Sequence, residues 1–332
     1  MDAVSQDPRA TDTTTRNEGA AVAPDAPLFI VMNAGSGSHA GEDVREVIRE
    51  ALEGAGRTFS LHEVEQPDQL ESVANDVVER ARRTGGIVVG AGGDGTINTV
   101  AKATLGSGRP FGVLPLGTFN YFSRAHGIPS DAREACRILV TERAHEVQVG
   151  LVNNQIFLVN ASIGLYPELL EEREQAKQEL GRSRWVAAGS ALLTLFRPHR
   201  ALLIDIETPT LRRTFVTHTL FVGNNRLQLE RAGIPGSELT ERHRLVGVVV
   251  RPVGTWGTLK LVVRGLLGRL GDAPEVTSFA LEQMKVRSRL RRRRMKVAAD
   301  GEVMWLNAPL AFRVAPHPLL LIRPAEVRED PG

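Results

Sequence analysis

From Leu28 onward, short β-branched runs alternate with segments whose apolar residues recur every three or four positions. That order predicts a parallel sheet with helical crossovers. LFIVM (Leu28 to Met32) is the first expected strand. Val44, Val47, Ile48, Ala51 and Leu52 predict a helix over Glu42 to Glu53, stopped by Gly54 and Gly56. RTFSLHEV is the second strand, and Asp68 is placed to cap a helix whose apolar face is Leu70, Val73, Ala74, Val77, Val78 and Ala81. GIVVGA, from Gly86, is apolar throughout, as central parallel strands are. FGVLP (Phe111 to Pro115) is a fourth strand, and Asp131 opens a helix to Val140 over Ala135, Cys136, Ile138 and Leu139.

The texture changes near His145. HEVQVGLVN, QIFLVNASIG, RALLIDIET, RTFVTHTLFVGNN, RLVGVVVRP, EQMKVRSRLRRRRMKVAADGEV and PLAFRVAP all read as strands. Two helical excursions interrupt them, Glu168 to Leu195 and Thr258 to Leu270. The expected organisation is a disordered tail over 1–26, an α/β domain with a parallel sheet over 27–148 and a β-rich, sandwich-like domain over 149–316. A return segment to the first domain over 317–325 and a tail over 326–332 follow. A chain of 332 residues can bury two such cores.

Composition sharpens this picture in three ways. The 32 glycines are roughly a tenth of the chain against about 7% on average, which suggests backbone closing on a ligand. A single cysteine, Cys136, excludes an internal disulfide and a cysteine zinc site. The first 26 residues lack the apolar stretch of a secretory signal, and no apolar run approaches the ~20 residues that span a bilayer. The expected setting is cytoplasmic. Net charge of +2 argues against an indiscriminate nucleic-acid binder, so no nucleic-acid partner is expected. The basic tract MKVRSRLRRRRMKV is locally exceptional. As a strand it would line Arg287, Arg289, Arg291 and Arg293 on one face. It reads either as a charged edge strand or as a surface for anionic lipid headgroups or phosphates. The apolar stretch Trp185 to Phe196, flanked by Arg182, Arg184 and Arg197, reads either as core or as a contact with acyl chains.

Chemistry concentrates in Gly92-Gly93-Asp94-Gly95-Thr96, which follows the buried third strand and opens a helix through Ile97 and Asn98. Consecutive glycines let amides close on a phosphate, and a helix N-terminus adds partial positive charge. Asp94 would then need a divalent cation or a phosphate-bearing hydroxyl between itself and the anion. Gly90, Gly92 and Gly95 also satisfy the dinucleotide fingerprint. The strand is the third rather than the first, however, and the following FGVLPLGTFN lacks the acidic residue that pattern requires. Two more polar loops end strands: Asn33-Ala34-Gly35-Ser36-Gly37 and Pro115-Leu116-Gly117-Thr118-Phe119-Asn120. All three fall at carboxyl ends of parallel strands, the ligand edge of such a sheet.

GGDGT, the Asn33 to Gly37 loop, PLGTFNYFSR and the later AADGE together resemble the diacylglycerol kinase catalytic family, in its soluble bacterial lipid kinase branch, related to sphingosine and ceramide kinases. The resemblance runs from about Leu28 to Pro324. GGDGT alone is shared with NAD kinases and related phosphofructokinases, whose α/β fold the first domain is expected to follow. PLGTFN and the DGE motif select the lipid kinases. The resemblance implies an ATP-dependent, Mg2+-assisted phosphotransferase whose acceptor is the hydroxyl of diacylglycerol or a related lipid, met at a membrane surface with which the protein associates peripherally. It implies that Asn33, Ser36, Gly37, Gly92, Gly93, Asp94, Gly95, Thr96, Asn98 and Thr118 contact ATP. Asp94, Asp300 and Glu302 are the implied catalytic carboxylates, with the choice of base between Asp300 and Glu302 open. Family members often carry an Asp-Gly-x-Leu turn that helps hold a structural magnesium. Here the stretch reads Leu239 to Leu245, with Glu241 as its candidate oxygen ligand beside Arg242, His243 and Arg244, which disfavour a divalent cation. Two other functions fit the same residues: a kinase of a soluble acceptor such as NAD, and a catalytically silent nucleotide- or lipid-binding regulator. A homodimer is compatible with each.

Overall fold

Parallel strands covered on both faces need apolar residues at nearly every position, and three segments meet that requirement. In the computed structural model, which describes residues 19–34, 41–164, 167, 201–210, 212–235, 244–290 and 293–325, they form β1 (Leu28–Asn33), β3 (Ile87–Gly92) and β4 (Phe111–Pro115). β2 (Phe59–Val64) flanks β1. The sheet is completed from far along the chain, in the order β2-β1-β3-β4-β18-β5. β18 (Leu319–Arg323) runs parallel to β4 and antiparallel to β5 (Arg143–Val147).

Five helices accompany these strands: α1 (Gly41–Gly54), α2 (Leu70–Thr84), α3 (Asp94–Thr104), the short α4 (Tyr121–Ala125) and α5 (Ala132–Thr141). The α2 face Leu70, Ala74, Val77, Val78 and Ala81 is buried, and its end is set by Gly85 at φ 73°. Asp131 caps α5 by accepting from the Glu134 amide at 2.9 Å. Asp68 makes no such cap. Pro67 opens a 3-10 turn over Pro67–Gln69, so the chain is already helical at Asp68 and α2 begins after it.

The expected tail 1–26 is ordered in its last part. Ala20 and Ala144 exchange backbone hydrogen bonds of 2.7 and 3.0 Å, and Arg57 Nη2 donates to the Ala26 carbonyl at 2.8 Å. Edge strand β5 offers unpaired backbone groups, and Ala20 takes up those of Ala144. Residues 1–18 lie outside the described residues, as do 326–332.

The rest of the described chain forms two antiparallel sheets around a shared core. One is ordered β10-β9-β14-β17-β6-β7 and the other β13-β12-β11-β8-β15-β16. Their strands are β6 (Gly150–Val152), β7 (Gln155–Phe157), β8 (Asn160–Gly164), β9 (Leu202–Glu207), β10 (Arg212–Thr217), β11 (Thr219–Gly223), β12 (Leu245–Val250) and β13 (Val276–Leu281). Then come β14 (Gln283–Ser288), β15 (Arg294–Ala299), β16 (Glu302–Asn307) and β17 (Leu310–Val314). Ile204, Ile206, Val286 and Phe312 from the first meet Ile163, Leu220, Val222 and Val297 from the second. Helix α6 (Arg226–Arg231) follows β11, and α7 (Thr255–Leu266) links β12 to β13.

Four runs that the pattern presents as single strands are each two. HEVQVGLVN breaks between β5 and β6, QIFLVNASIG at Leu158 and Val159, and RTFVTHTLFVGNN at His218; the basic tract breaks between β14 and β15. At every break the chain passes from one sheet to another; at the β7–β8 and β10–β11 breaks the two sheets bury one shared core, so the side-chain pattern does not announce the switch. The basic tract is therefore not an edge strand. β14 lies between β9 and β17, β15 lies between β8 and β16, and the Arg287 to Arg293 alternation ends in the connection. Arg287 and Arg289 stand 3.2 and 3.6 Å from Glu207 and Asp205 on β9, and Arg291 is outside the described residues. β13 escapes the pattern because all but its last residue are half-buried, leaving no alternation. The second helical excursion is shifted towards the N-terminus, because Gly268 at φ 65° terminates α7 before Leu270. The first, Glu168 to Leu195 with its Trp185 to Phe196 end, lies outside the described residues save Pro167 just before it. Among the described residues no helix is long and apolar enough to cross a membrane.

Leu321, fully buried in β18, joins the last strand of the chain to the first core. Leu321→Ala is expected to cost about 2–5 kcal/mol of stability in urea unfolding, as for other large-to-small changes in closed cores.

Candidate functional site

The turn from β3 into α3 is built from glycine because its neighbours leave no room. A Cβ on Gly92 would lie 2.7 Å from the buried Thr96 side chain, and one on Gly117 would lie 2.7 Å from Gly93 Cα. The Leu116 amide donates to the Gly92 carbonyl at 2.9 Å, locking the β3 and β4 loops together. Asn120, at φ 49°, closes the second loop by donating from Nδ2 to the Gly117 carbonyl at 2.9 Å. Gly93 is the N-cap of α3 and supplies no side-chain acceptor. The first-turn amides of α3 are thus left for a ligand, with the helix dipole behind them.

Asp94, expected as an ATP contact and catalytic carboxylate, opens α3. It lies half-buried against the backbone amides of Phe122, Asn120 and Tyr121 at the start of α4. Burial raises its pKa while those three amides pull it down. A carboxylate is drawn there because the N-terminus of α4 presents amides without helical partners. Asp94 thus sits at the seam between the two loops, with its Oδ1 buried and without a hydrogen-bond partner.

Asp300 and Gly301 form a two-residue hairpin between β15 and β16, with Ala299 paired to Glu302 and φ values of 47° and 91°. Both left-handed positions are what the tight β-hairpin turn demands, and Asp-Gly supplies them. The Asp300 carboxylate accepts four hydrogen bonds: from the amides of Leu158 (2.6 Å), Val159 (2.9 Å) and Asn160 (2.9 Å), and from Asn98 Nδ2 (2.7 Å). Burial raises its pKa, and the four donors act in the opposite direction. Asn98, expected among the ATP contacts, is instead bonded through its side chain to this aspartate.

Glu302 is different. Its Oε1 stands 3.0 Å from where a Cβ on Gly95 would be, and it has no hydrogen-bond or ion-pair partner among the described residues. Desolvation raises its pKa. The DGE turn and the glycine loop thus share one cleft, with a free carboxylate lying over Gly95.

The other expected residues divide in three. Thr96 is buried behind the loop, Thr118 is exposed at its rim and Asn33 ends β1, half-buried. Ser36, Gly37 and Glu241 lie outside the described residues. Asn224 and Asn225 follow β11 beside the segment that bonds Asp300. Asn224 is buried and donates to the carbonyls of Leu158 and Gln148, bracing the segment that bonds Asp300, while Asn225 caps α6 through the Gln228 amide. Gln148 and Gln228 join this support, and their isolated polar side chains gave no signal for it.

A polyphosphate fits the cradle: glycines where a Cβ would intrude, and an uncapped helix N-terminus. For a magnesium ion the fit is narrower. No group of three or more His, Cys, Asp or Glu suited to a metal occurs among the described residues, so phosphate oxygens and water would have to supply most of the ligands.

Comparison with known proteins agrees with this geometry. Residues 27–152 match the model of the diacylglycerol kinase catalytic domain. The chain is 32% identical over 162 residues to a diacylglycerol kinase of Bacillus subtilis, covering 46% of this chain and 54% of that protein. It is 34% identical over 211 residues to a protein of Serratia proteamaculans named "Probable lipid kinase YegS-like", covering 61% and 66%. The chain thus spans less than two thirds of the length of these curated relatives. A crystal structure of a diacylglycerol kinase from Bacillus anthracis superposes with a TM-score of 0.66 at 16% identity, over 90% of this chain and 97% of that one; at such identity the likeness is one of fold.

Two substitutions separate support from chemistry. Asp300→Asn leaves at least one of the four donors without its anionic acceptor and is expected to destabilise by about 1–3 kcal/mol. Glu302→Gln breaks no described hydrogen bond and is expected to change stability by less than about 0.5 kcal/mol. Paired urea denaturation curves measure both.

Proposed function

Since this chain belongs, through residues 27–152, to the diacylglycerol kinase catalytic-domain family, we propose that it transfers the γ-phosphoryl group of ATP to the hydroxyl of diacylglycerol or a related lipid. In this reading residues 27–148 with the return segment 317–325 bind the nucleotide, and residues 149–316 present the acceptor. The observation that carries it is the unpartnered Glu302 carboxylate above Gly95, at the mouth of a glycine cradle suited to phosphate.

The roles follow from the surroundings of each residue. The amides of Gly93, Gly95 and Thr96 and the dipole of α3 hold the phosphate chain. Asn33, Ser36, Gly37 and Thr118 complete the nucleotide contacts from the neighbouring loops. Magnesium, when bound with ATP, neutralises charge on the β- and γ-phosphates. Glu302 takes the hydroxyl proton as the acceptor oxygen bonds to the γ-phosphorus and the bond to the β–γ bridging oxygen breaks, releasing ADP. Both oxygens of the Asp300 carboxylate are already engaged by its four donors, so Asp300 is assigned positioning: it fixes the turn that aims Glu302. Asn98 and Asp94 are likewise positioning residues. The acceptor is met at a membrane surface, with which the protein associates from the cytoplasmic side.

Labelled ATP offered with diacylglycerol vesicles, with NAD and alone tests this. Phosphate transfer to lipid supports the proposal; transfer to NAD would replace it with the soluble-acceptor kinase, and binding without turnover with a silent regulator. Glu302→Gln is expected to lower kcat by about 10²–10⁴-fold with little change in ATP affinity. Because its pKa is raised and the base must be ionised, kcat/KM should fall as pH drops, through a midpoint above the ordinary glutamate value. That limb should be absent from the residual activity of Glu302→Gln.

A further inference from the structure

A surface helix normally turns its apolar stripe inward. α7 does the reverse along one line. Trp256, Lys260, Val263 and Leu267 recur at intervals of four, three and four, which places them on one side of the helix. Trp256 is 79% exposed, Val263 47% and Leu267, at the C-cap, 68%, whereas Leu261 on the opposite side is buried. The charge around this stripe is of one sign. Residues 251–271 contain Arg251, Lys260, Arg264 and Arg269 and no aspartate or glutamate. Arg251, Lys260 and Arg269 form no ion pair among the described residues.

The helix is also mechanically tied to the cleft. The Leu270 amide donates to the Ala232 carbonyl at 2.9 Å, just past α6, and Gly233 and Gly268 approach so closely that no Cβ fits between them. α6 in turn packs on α4, beside the exposed and stacked rings of Phe119 and Tyr121 at the rim of the second loop. Whatever α7 rests on is held at a fixed relation to the site.

An outward Trp-Val-Leu stripe on a helix whose own charges are all cationic matches the boundary between headgroups and acyl chains of an anionic bilayer, where a tryptophan ring and long basic side chains are both accommodated. We propose that α7 is the surface on which the protein seats on anionic lipid. Trp256, Val263 and Leu267 enter the boundary, and Lys260, Arg264, Arg251 and Arg269 meet headgroup phosphates. The inference rests on the reading of the acceptor as a lipid, and its test is kept separate from that reading.

The full chain is sedimented with vesicles of phosphatidylcholine alone and of phosphatidylcholine with phosphatidylglycerol. Strong binding is expected only to the second. Trp256→Glu and Leu267→Glu, at opposite ends of the helix, should each lower partitioning by about tenfold or more, and Lys260→Glu should weaken binding in a salt-dependent manner. Phosphorylation of a short-chain, water-dispersed diacylglycerol should be unchanged in all three. Undiminished binding by both apolar variants overturns the proposal, as does failure of the unmodified chain to bind anionic vesicles. So does a shift from dimer to monomer in the variants with vesicle binding unaltered, since the face would then belong to a second copy. If the variants lose binding but no form phosphorylates any lipid, the docking surface stands and the kinase reading falls.

Discussion

The site depends on one buried carboxylate. Asp300 gathers three consecutive amides at the break between β7 and β8 and the side chain of Asn98 on α3. A strand that leaves one sheet for another exposes amides with no ladder partner, and leaving them unsatisfied in the interior costs about 1–3 kcal/mol each. An acidic hairpin turn resolves that problem and, through its fourth bond, fixes the β-rich half of the chain to the glycine-loop helix. Glu302 follows two residues later, so its placement over Gly95 is a consequence of the same turn.

The phosphate cradle shows a complementary division of labour. Glycine is used where backbones or side chains touch, at Gly93 against Gly117 and at Gly92 against Thr96. Polar side chains close the loops from behind: Asn120 onto Gly117, and Asp94 beside the amides that open α4. The ligand edge is thus left to backbone amides, which are rigidly held and cannot be titrated. Glu302, without a hydrogen-bond or ion-pair partner among the described residues, stands apart from those amides over Gly95.

Much of the first domain was legible because β3 and β4 are apolar throughout and α2 keeps a strict face, patterns that admit one structure. The motif loops were legible because glycine at those spacings has few other uses. The sheet-switching breaks were not, since Leu158, Val159 and His218 interrupt no hydrophobic pattern; what marks the first break is an aspartate about 140 residues away. The same separation hid the roles of Asn98 and Asp94, whose partners belong to other loops. Glycine-rich motifs show where backbones approach closely, whereas the contacts of Asp300 emerge only by tracing amides that need an acceptor.

The pairing of β18 with β4 joins Leu321 to Phe111 across most of the chain. During synthesis the parallel sheet therefore has an open edge at β4 until nearly all of the β-rich half has emerged. The two halves cannot mature as independent beads on a string, because closure of the earlier one awaits the later. Any truncated product released before residue 319 would carry an unprotected strand beside its own glycine loop. Such an edge is a template for pairing with other chains.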